Sequence, residues 1–222
     1  MKSLVNGKSL LRGKSLLTAL LALAILTGCS SESPKKGAGS SAPAKPAVTP
    51  PKYETGRVAL QTLNVTATSW AADAQPVRLE SVYTKGAPTQ EGKAGAWRAS
   101  FASASQRGIK PYVWSGVTEE GAPERGINAG PEDDFNPRNL STHPFNIAFL
   151  KTDTGEAFKV AQEHGGKKIL DKNADTPITY ALAWDPRKNE LEWHVMYGPS
   201  AADSKLTVLV NASTGMFLRV QK

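Results

Sequence analysis

The chain has 222 residues, enough for one or two domains, and its 40% hydrophobic and 21% charged content is that of an ordinary globular protein. Its single cysteine excludes an internal disulfide framework and a multi-cysteine zinc site. The net charge of +7 does not mark a nucleic-acid binder, because the basic excess lies at the N-terminus and residues 58–222 hold 18 basic and 18 acidic residues.

The first 28 residues have three parts. A basic stretch from Lys2 to Lys14 precedes an apolar run from Leu16 to Leu26, broken only by Thr18, and Leu26-Thr-Gly-Cys29 closes the segment. A run of eleven residues, ten of them apolar, makes a signal-peptide core and is too short to span a bilayer as a mature helix. The basic flank holds the start of the chain on the cytoplasmic side. Leu26 to Cys29 resembles the lipobox of bacterial lipoproteins. That resemblance implies that residues 1–28 are removed and that Cys29 carries a diacylglyceryl group, with palmitate-type acyl chains anchoring the protein to a membrane. Ser30, where an Asp would favour inner-membrane retention, implies an outer-membrane address facing the periplasm in a Gram-negative host.

Residues 29–57 then read as the lipidated cysteine and a disordered tether. Ser, Pro, Ala, Gly and Lys dominate residues 30–52, which cannot bury enough apolar area to offset their ordering entropy. The body follows from residue 58. Val58 to Trp70 places Leu60, Leu63, Ala67 and Trp70 at helical spacing. Pro76–Tyr83, Trp97–Phe101 and Ile109–Val113 read as strands, separated by a turn-rich loop from Lys85 to Gly95. Residues 118–152 are rich in turn formers, with Phe145–Phe149 as a candidate strand. A second helix is predicted over Gly155–His164, capped by Asp153 or Thr154 and stopped by Gly165-Gly166. Alternation then predicts strands at Ile178–Trp184, Leu191–Tyr197, Leu206–Val210 and Met216–Val220, joined by polar turns.

The halves can be laid over each other. Pro76–Tyr83 matches Pro177–Trp184 at an offset of 101, Trp97–Phe101 matches Trp193–Tyr197 at 96, and Ile109–Val113 matches Leu206–Val210 at 97. Small drifts confined to loops are expected of a duplicated unit. The predicted fold is therefore α+β, with two similar units at 58–130 and 131–222, each a helix packed on a small antiparallel sheet.

Trp193 to Tyr197, a polar loop, and Leu206–Val210 followed by Asn211-Ala-Ser-Thr-Gly215 resemble the PepSY domain, with Asn211 where Asp is usual. The resemblance covers residues 153–222 and extends weakly to 58–117. It implies no catalytic residues. It implies partner binding in the cell envelope, peptidase modulation included.

Activated groups for catalysis are scarce. His143, His164 and His194 have no i, i+4 pairing, and no Gly-x-Ser-x-Gly elbow occurs. His194, alternating with Trp193, is predicted to face solvent, and His164 to end a helix where a cation suits the dipole. Glu132, Asp133 and Asp134, with Asn136 and Asn139 nearby, offer oxygen ligands for an ion such as Ca²⁺ but lack EF-hand spacing, so an acidic turn is the simpler reading. Of the five tryptophans, Trp97, Trp114 and Trp193 are candidate binding residues, weighed against a place in the core. The expectation is a lipid-anchored, non-enzymatic scaffold with no cofactor or metal, binding an envelope protein or peptide and no nucleic acid. The alternatives are an envelope hydrolase using residues 118–144 and a purely structural lipoprotein.

Overall fold

The computed structural model describes residues 49–139 and 142–221. The signal segment, Cys29 and the tether up to residue 48 lie outside them. Residues 49–57, expected as tether, belong to the body. The Arg125 guanidinium donates to the Thr49 and Pro50 carbonyls, and Lys52 N donates to Gly116 O. Strand β1 (Glu54–Thr55) pairs with β3 (Lys93–Ala94). Proline-rich backbone with free carbonyls is well suited to accept from an arginine, which composition alone does not reveal.

Helix α1 (Gly56–Trp70) begins two residues earlier than its apolar stripe, with Thr55 Oγ1 accepting from Val58 N. It contains Val58, Thr62, Val65, Thr66 and Thr68, whose β-branching disfavours a helix. Burial of Ala59, Leu60, Leu63 and Ala67 outweighs that preference. Helix α2 (Thr154–Ala161) starts with a capping box between Asp153 and Glu156. The Gly165-Gly166 pair stops this helix, as the sequence predicts: the backbone leaves helical geometry at His164 (φ −104°, ψ 33°) and Gly165 (φ +112°). Beyond this kink the chain starts α3 (Lys167–Lys172). The kink admits Tyr197, whose hydroxyl accepts from Gln162 Nε2 at 2.6 Å and occupies the space a Cβ on Gly166 would need.

The remaining strands are β2 (Gln75–Ser81), β4 (Ala96–Ser103), β5 (Gly108–Ser115), β6 (Gly126–Ala129), β7 (Asp133–Asp134), β8 (Ile178–Asp185), β9 (Glu190–Tyr197), β10 (Thr207–Asn211) and β11 (Phe217–Gln221). They form one antiparallel sheet in the order β11-β10-β9-β8-β2-β4-β5-β6, with β7 also on β5. The fold is α+β. Phe145–Phe149 is not a strand: Asn146 Oδ1 accepts from Ala148 N and caps a 3-10 turn at Ile147–Phe149. The stretch just after residue 131 is joined to β5 and β2. Asp133 and Asp134 pair with Ile109 and Gly108, and Phe135 packs on Val77 and Ala102.

Strand register corrects one alignment. Trp97 pairs with Trp114 and Trp193 pairs with Val210, so the third strands correspond at 96, not 97. A one-residue slip would exchange the two faces of the strand. At the middle of the sheet β2 pairs with β8 through Arg78 and Ala183, Leu79 and Leu182, and Glu80 and Ala181. Every helix of the described residues packs on one face, over a core containing Leu79, Trp97, Phe101, Tyr180, Leu182 and Trp193.

Candidate functional site: the open face of the sheet

The three candidate tryptophans lie on the helix-covered face. Trp97 and Trp193 are fully buried and Trp114 nearly so, which corrects the expectation that they meet a partner. Trp97 and Trp193 tie the sheet to the two helix starts. Trp97 Nε1 donates to Glu54 O and Trp193 Nε1 donates to Thr152 O, both at 2.9 Å. Each accepting carbonyl lies two residues before the first residue of its helix. The helix starts also touch: Gly56 N donates to Thr154 Oγ1 and Arg57 N to Asp153 Oδ1.

The opposite face carries no helix, mixes charged with small and apolar side chains such as Leu209 and Ala181, and is partly covered by Phe135 on Val77 and Ala102. One lateral row crosses all eight strands through paired residues: Arg219, Leu209, His194, Ala181, Glu80, Arg98, Val113 and Asn128. Alternation puts these side chains away from the core. At the β11 end, Glu192 is 2% exposed, and Arg219 binds it bidentately at 2.8 and 3.1 Å. Lys188 lies 3.5 Å and His194 Nε2 3.7 Å from the same carboxylate, with Asp185 3.9 Å from Arg219. Asp185, Glu192, His194 and Arg219 border a recess of about 240 Å³. Burial pulls the His194 imidazole below its ordinary range against the opposing pull of Glu192. His194 is therefore half-buried beside an ion pair and does not simply face solvent. At the middle, Glu80 bridges two arginines, 3.0 Å from Arg78 Nε and 3.3 Å from an Arg98 terminal nitrogen. A second recess of about 390 Å³ lies beside them, walled by Met196, Thr179 and the Pro199–Ala201 turn.

The other candidates have structural roles. His164 stands at the break that ends the second helix, as the sequence predicts. It stacks on Phe217 with ring centroids 3.7 Å apart, and its Nδ1 lies 2.9 Å from Val160 O. His143 stacks on Trp184, which Phe149 also meets at a tilt. In the acidic stretch, Glu132 accepts from Trp70 Nε1, while Asp133 and Asp134 are exposed and strand-paired. Asn136 Oδ1 accepts from Arg138 N, and Asn139 closes turns onto Asn136 and Thr142. Among the described residues no group of three or more His, Cys, Asp or Glu is arranged to hold a metal ion.

One serine–carboxylate constellation was not foreseen. Asp73 accepts from Ser103 Oγ at 2.6 Å and from Ser105 N and Oγ. These hydrogen bonds, the Ser103 hydroxyl first, hold its carboxyl at about 2. With Ser103 Oγ accepting from Gln106 N, the arrangement fixes the 103–106 turn. The Asn211-to-Gly215 turn is structural as well: Asn211 Oδ1 accepts from Ser213 N and Thr214 N, and Gly215 has φ +76°.

No helix of the described residues is long and apolar enough to cross a membrane. No family model matches the chain, and no curated relative matches it. Among solved structures the chain is similar to a protein of Clostridium difficile 630 named "putative lipoprotein", with 10% identity and a TM-score of 0.49, over 77% of this chain and 94% of that one.

Proposed function

We propose that this chain is a lipid-anchored protein of the bacterial envelope, held through Cys29, whose body is a duplicated, PepSY-like α+β scaffold that binds a protein partner on the open face of its sheet. The observation that carries the binding proposal is one-sidedness. All helices of the described residues pack on one face, leaving the other without a helix across eight strands and with Arg219, His194, Glu80, Arg98 and Asn128 directed outward from it. An antiparallel sheet with one solvated face is ordinary. Two recesses and a buried ion pair on that face are features a bare solvated surface does not need.

Register supports the duplication. Glu80 and Ala181 are separated by the same 101 residues as their segments, and they pair with each other, as a two-fold axis through that pair requires. Moving outward, Arg98 and His194, then Val113 and Leu209, correspond at 96. The indole bonds of Trp97 and Trp193 repeat the correspondence on the buried face. The non-enzymatic reading is supported by the structural engagement of His143, His164 and Asp73.

The experiment is site-specific photo-crosslinking in intact cells, with the crosslinking residue at Val113 or Ser200 on the open face and at Val65 or Lys168 on the helix side. A discrete protein adduct is expected from the first pair only. Adducts from Val65 or Lys168 alone, or from no position, would overturn the open-face assignment.

A further inference from the structure

We infer that the recess at the seam of the sheet receives an acidic side chain from a loop of the partner protein, with Arg78 and Arg98 as its cationic wall. The inference rests on the open-face reading above and adds the partner's chemistry. Arg78 and Arg98 come from neighbouring strands and share one carboxylate, Glu80. Among the described residues Glu80 is the acid within ion-pair distance of either, so the cluster carries one uncompensated positive charge. Each guanidinium has five N–H donors and gives one to Glu80, which leaves forks free for a second carboxylate. Both side chains are about half exposed, at 48% and 49%, so their charge is presented and not buried.

The shape of the recess agrees with a single inserted side chain. Its volume is about 390 Å³, and Met196 and Pro199 provide apolar wall for the methylene stem of a Glu or Asp. Two of the wall hydroxyls are already engaged: Thr179 Oγ1 donates to Gly198 O and Ser200 Oγ to Asp203. The guanidiniums are the charged donors of the site. The other charge cluster on the face is balanced internally, since Glu192 and Asp185 face Arg219 and Lys188. The unbalanced charge of the open face therefore lies at the seam. Two arginines at one recess suit a protruding acidic loop better than a flat anionic membrane, which is read by charges spread over a surface.

The test uses the full-length protein in zwitterionic nanodiscs and fluorescein-labelled hexaglutamate as the probe, followed by anisotropy at low and at physiological salt. Binding is expected to saturate and to weaken with salt. Arg78→Gln and Arg98→Gln should each weaken it by about fivefold or more, and the double variant should abolish it. Glu80→Gln should tighten binding, because it removes the internal competitor, an effect that a merely structural role for Glu80 would not produce. Arg107→Gln and Arg138→Gln, on the exposed loops near Phe135, should change nothing. Thermal melts of each variant identify any loss of fold, and the comparison is made among folded variants. Hexaglutamate binding that is absent, insensitive to Arg78 and Arg98, or weakened by Glu80→Gln would overturn the inference. So would phosphatidylglycerol vesicles binding through the same arginines without competition from hexaglutamate. Crosslinks from Val113 or Ser200 that persist unchanged in the Arg78/Arg98 double variant would overturn the acidic-loop inference and leave the scaffold standing. Loss of all open-face crosslinks in the unmodified protein would remove both.

Discussion

The contact between Gly56 and Trp193 gives the sharpest test of how the helix starts and the sheet are locked together. A Cβ built on Gly56 would lie 2.5 Å from Trp193 Cη2, 3.2 Å from Cζ2 and 2.9 Å from Thr154 Cγ2. Gly56→Ala alone should therefore destabilise the fold by about 1–3 kcal/mol, the usual cost of overpacking. Trp193→Phe alone should cost about 2–3 kcal/mol, because it removes the outer indole ring from a fully buried site and leaves Thr152 O without the indole donor. In the double variant the alanine methyl enters space that the indole has left. The two losses should then fall short of additivity by about 1–2 kcal/mol. Urea denaturation of the four proteins, with a common slope, measures the coupling. Additivity within about 0.5 kcal/mol would mean that Gly56 and the Trp193 ring are not in contact, and the account of the helix–sheet lock would fail.

Arg219→Met should cost about 2–3 kcal/mol, because Glu192 stays buried with only Lys188 and His194 near it, and the double variant Glu192→Gln/Arg219→Met should be milder; equal costs on denaturation would show that the pair is not coupled. His194 favours its neutral form in the folded state. Stability should therefore fall as pH drops below about 6.5 and level off beneath the lowered native value, and His194→Gln should flatten that part of the pH profile. Deleting residues 30–48 should leave the thermal transition unchanged, whereas deletion through residue 55 should lower it by removing the Thr55 cap and the Trp97 acceptor on Glu54; equal transitions would refute the assigned start of the body. Cys29→Ala should leave an unprocessed precursor without lipid, and normal processing of that variant would remove the anchor proposal.

Much of the sheet was legible because alternation at period two survives in every long strand. Trp97-Arg-Ala-Ser-Phe101 and Leu191-Glu-Trp-His-Val already separate core residues from outward ones. Helix α2 announced itself through Asp153 and Glu156. Pairing between strands was not legible. Nothing along the chain says that Arg219 lies beside Glu192, because that neighbourhood depends on the register of β9, β10 and β11 together. The same limit produced the offset of 97 in place of 96, since Ile109 and Leu206 are both apolar and either alignment preserves hydrophobicity. Period-two parity could have flagged Arg78, Glu80 and Arg98 as one outward group, had charge been read along with apolar character. The glycine stop at Gly165-Gly166 was legible, but not that Tyr197 makes the small size of Gly166 a packing requirement as well, since that contact joins residues distant in sequence.

The seam between the proposed repeats explains why the open face exists at its present width. A single helix-on-meander unit would expose β2 or β8 as a free edge, with unpaired backbone donors and acceptors that invite aggregation. Antiparallel pairing of β2 with β8 removes both edges at once and doubles the face without adding a layer. The residues at the axis then need not be alike, because each faces its counterpart and not itself. Glu80 meets Ala181, and that asymmetry lets one half gather Arg78 and Arg98 around a carboxylate while the other leaves room beside Thr179 and Met196 for the recess. A strict repeat would place Glu, or Ala, on both sides of the axis, giving either like-charge repulsion across the pair or no carboxylate at all. Ala181→Glu should therefore destabilise the seam and abolish hexaglutamate binding, by placing a second carboxylate against the arginines that Glu80 already holds. Binding retained in a folded Ala181→Glu protein would show that the seam is not where the acid docks.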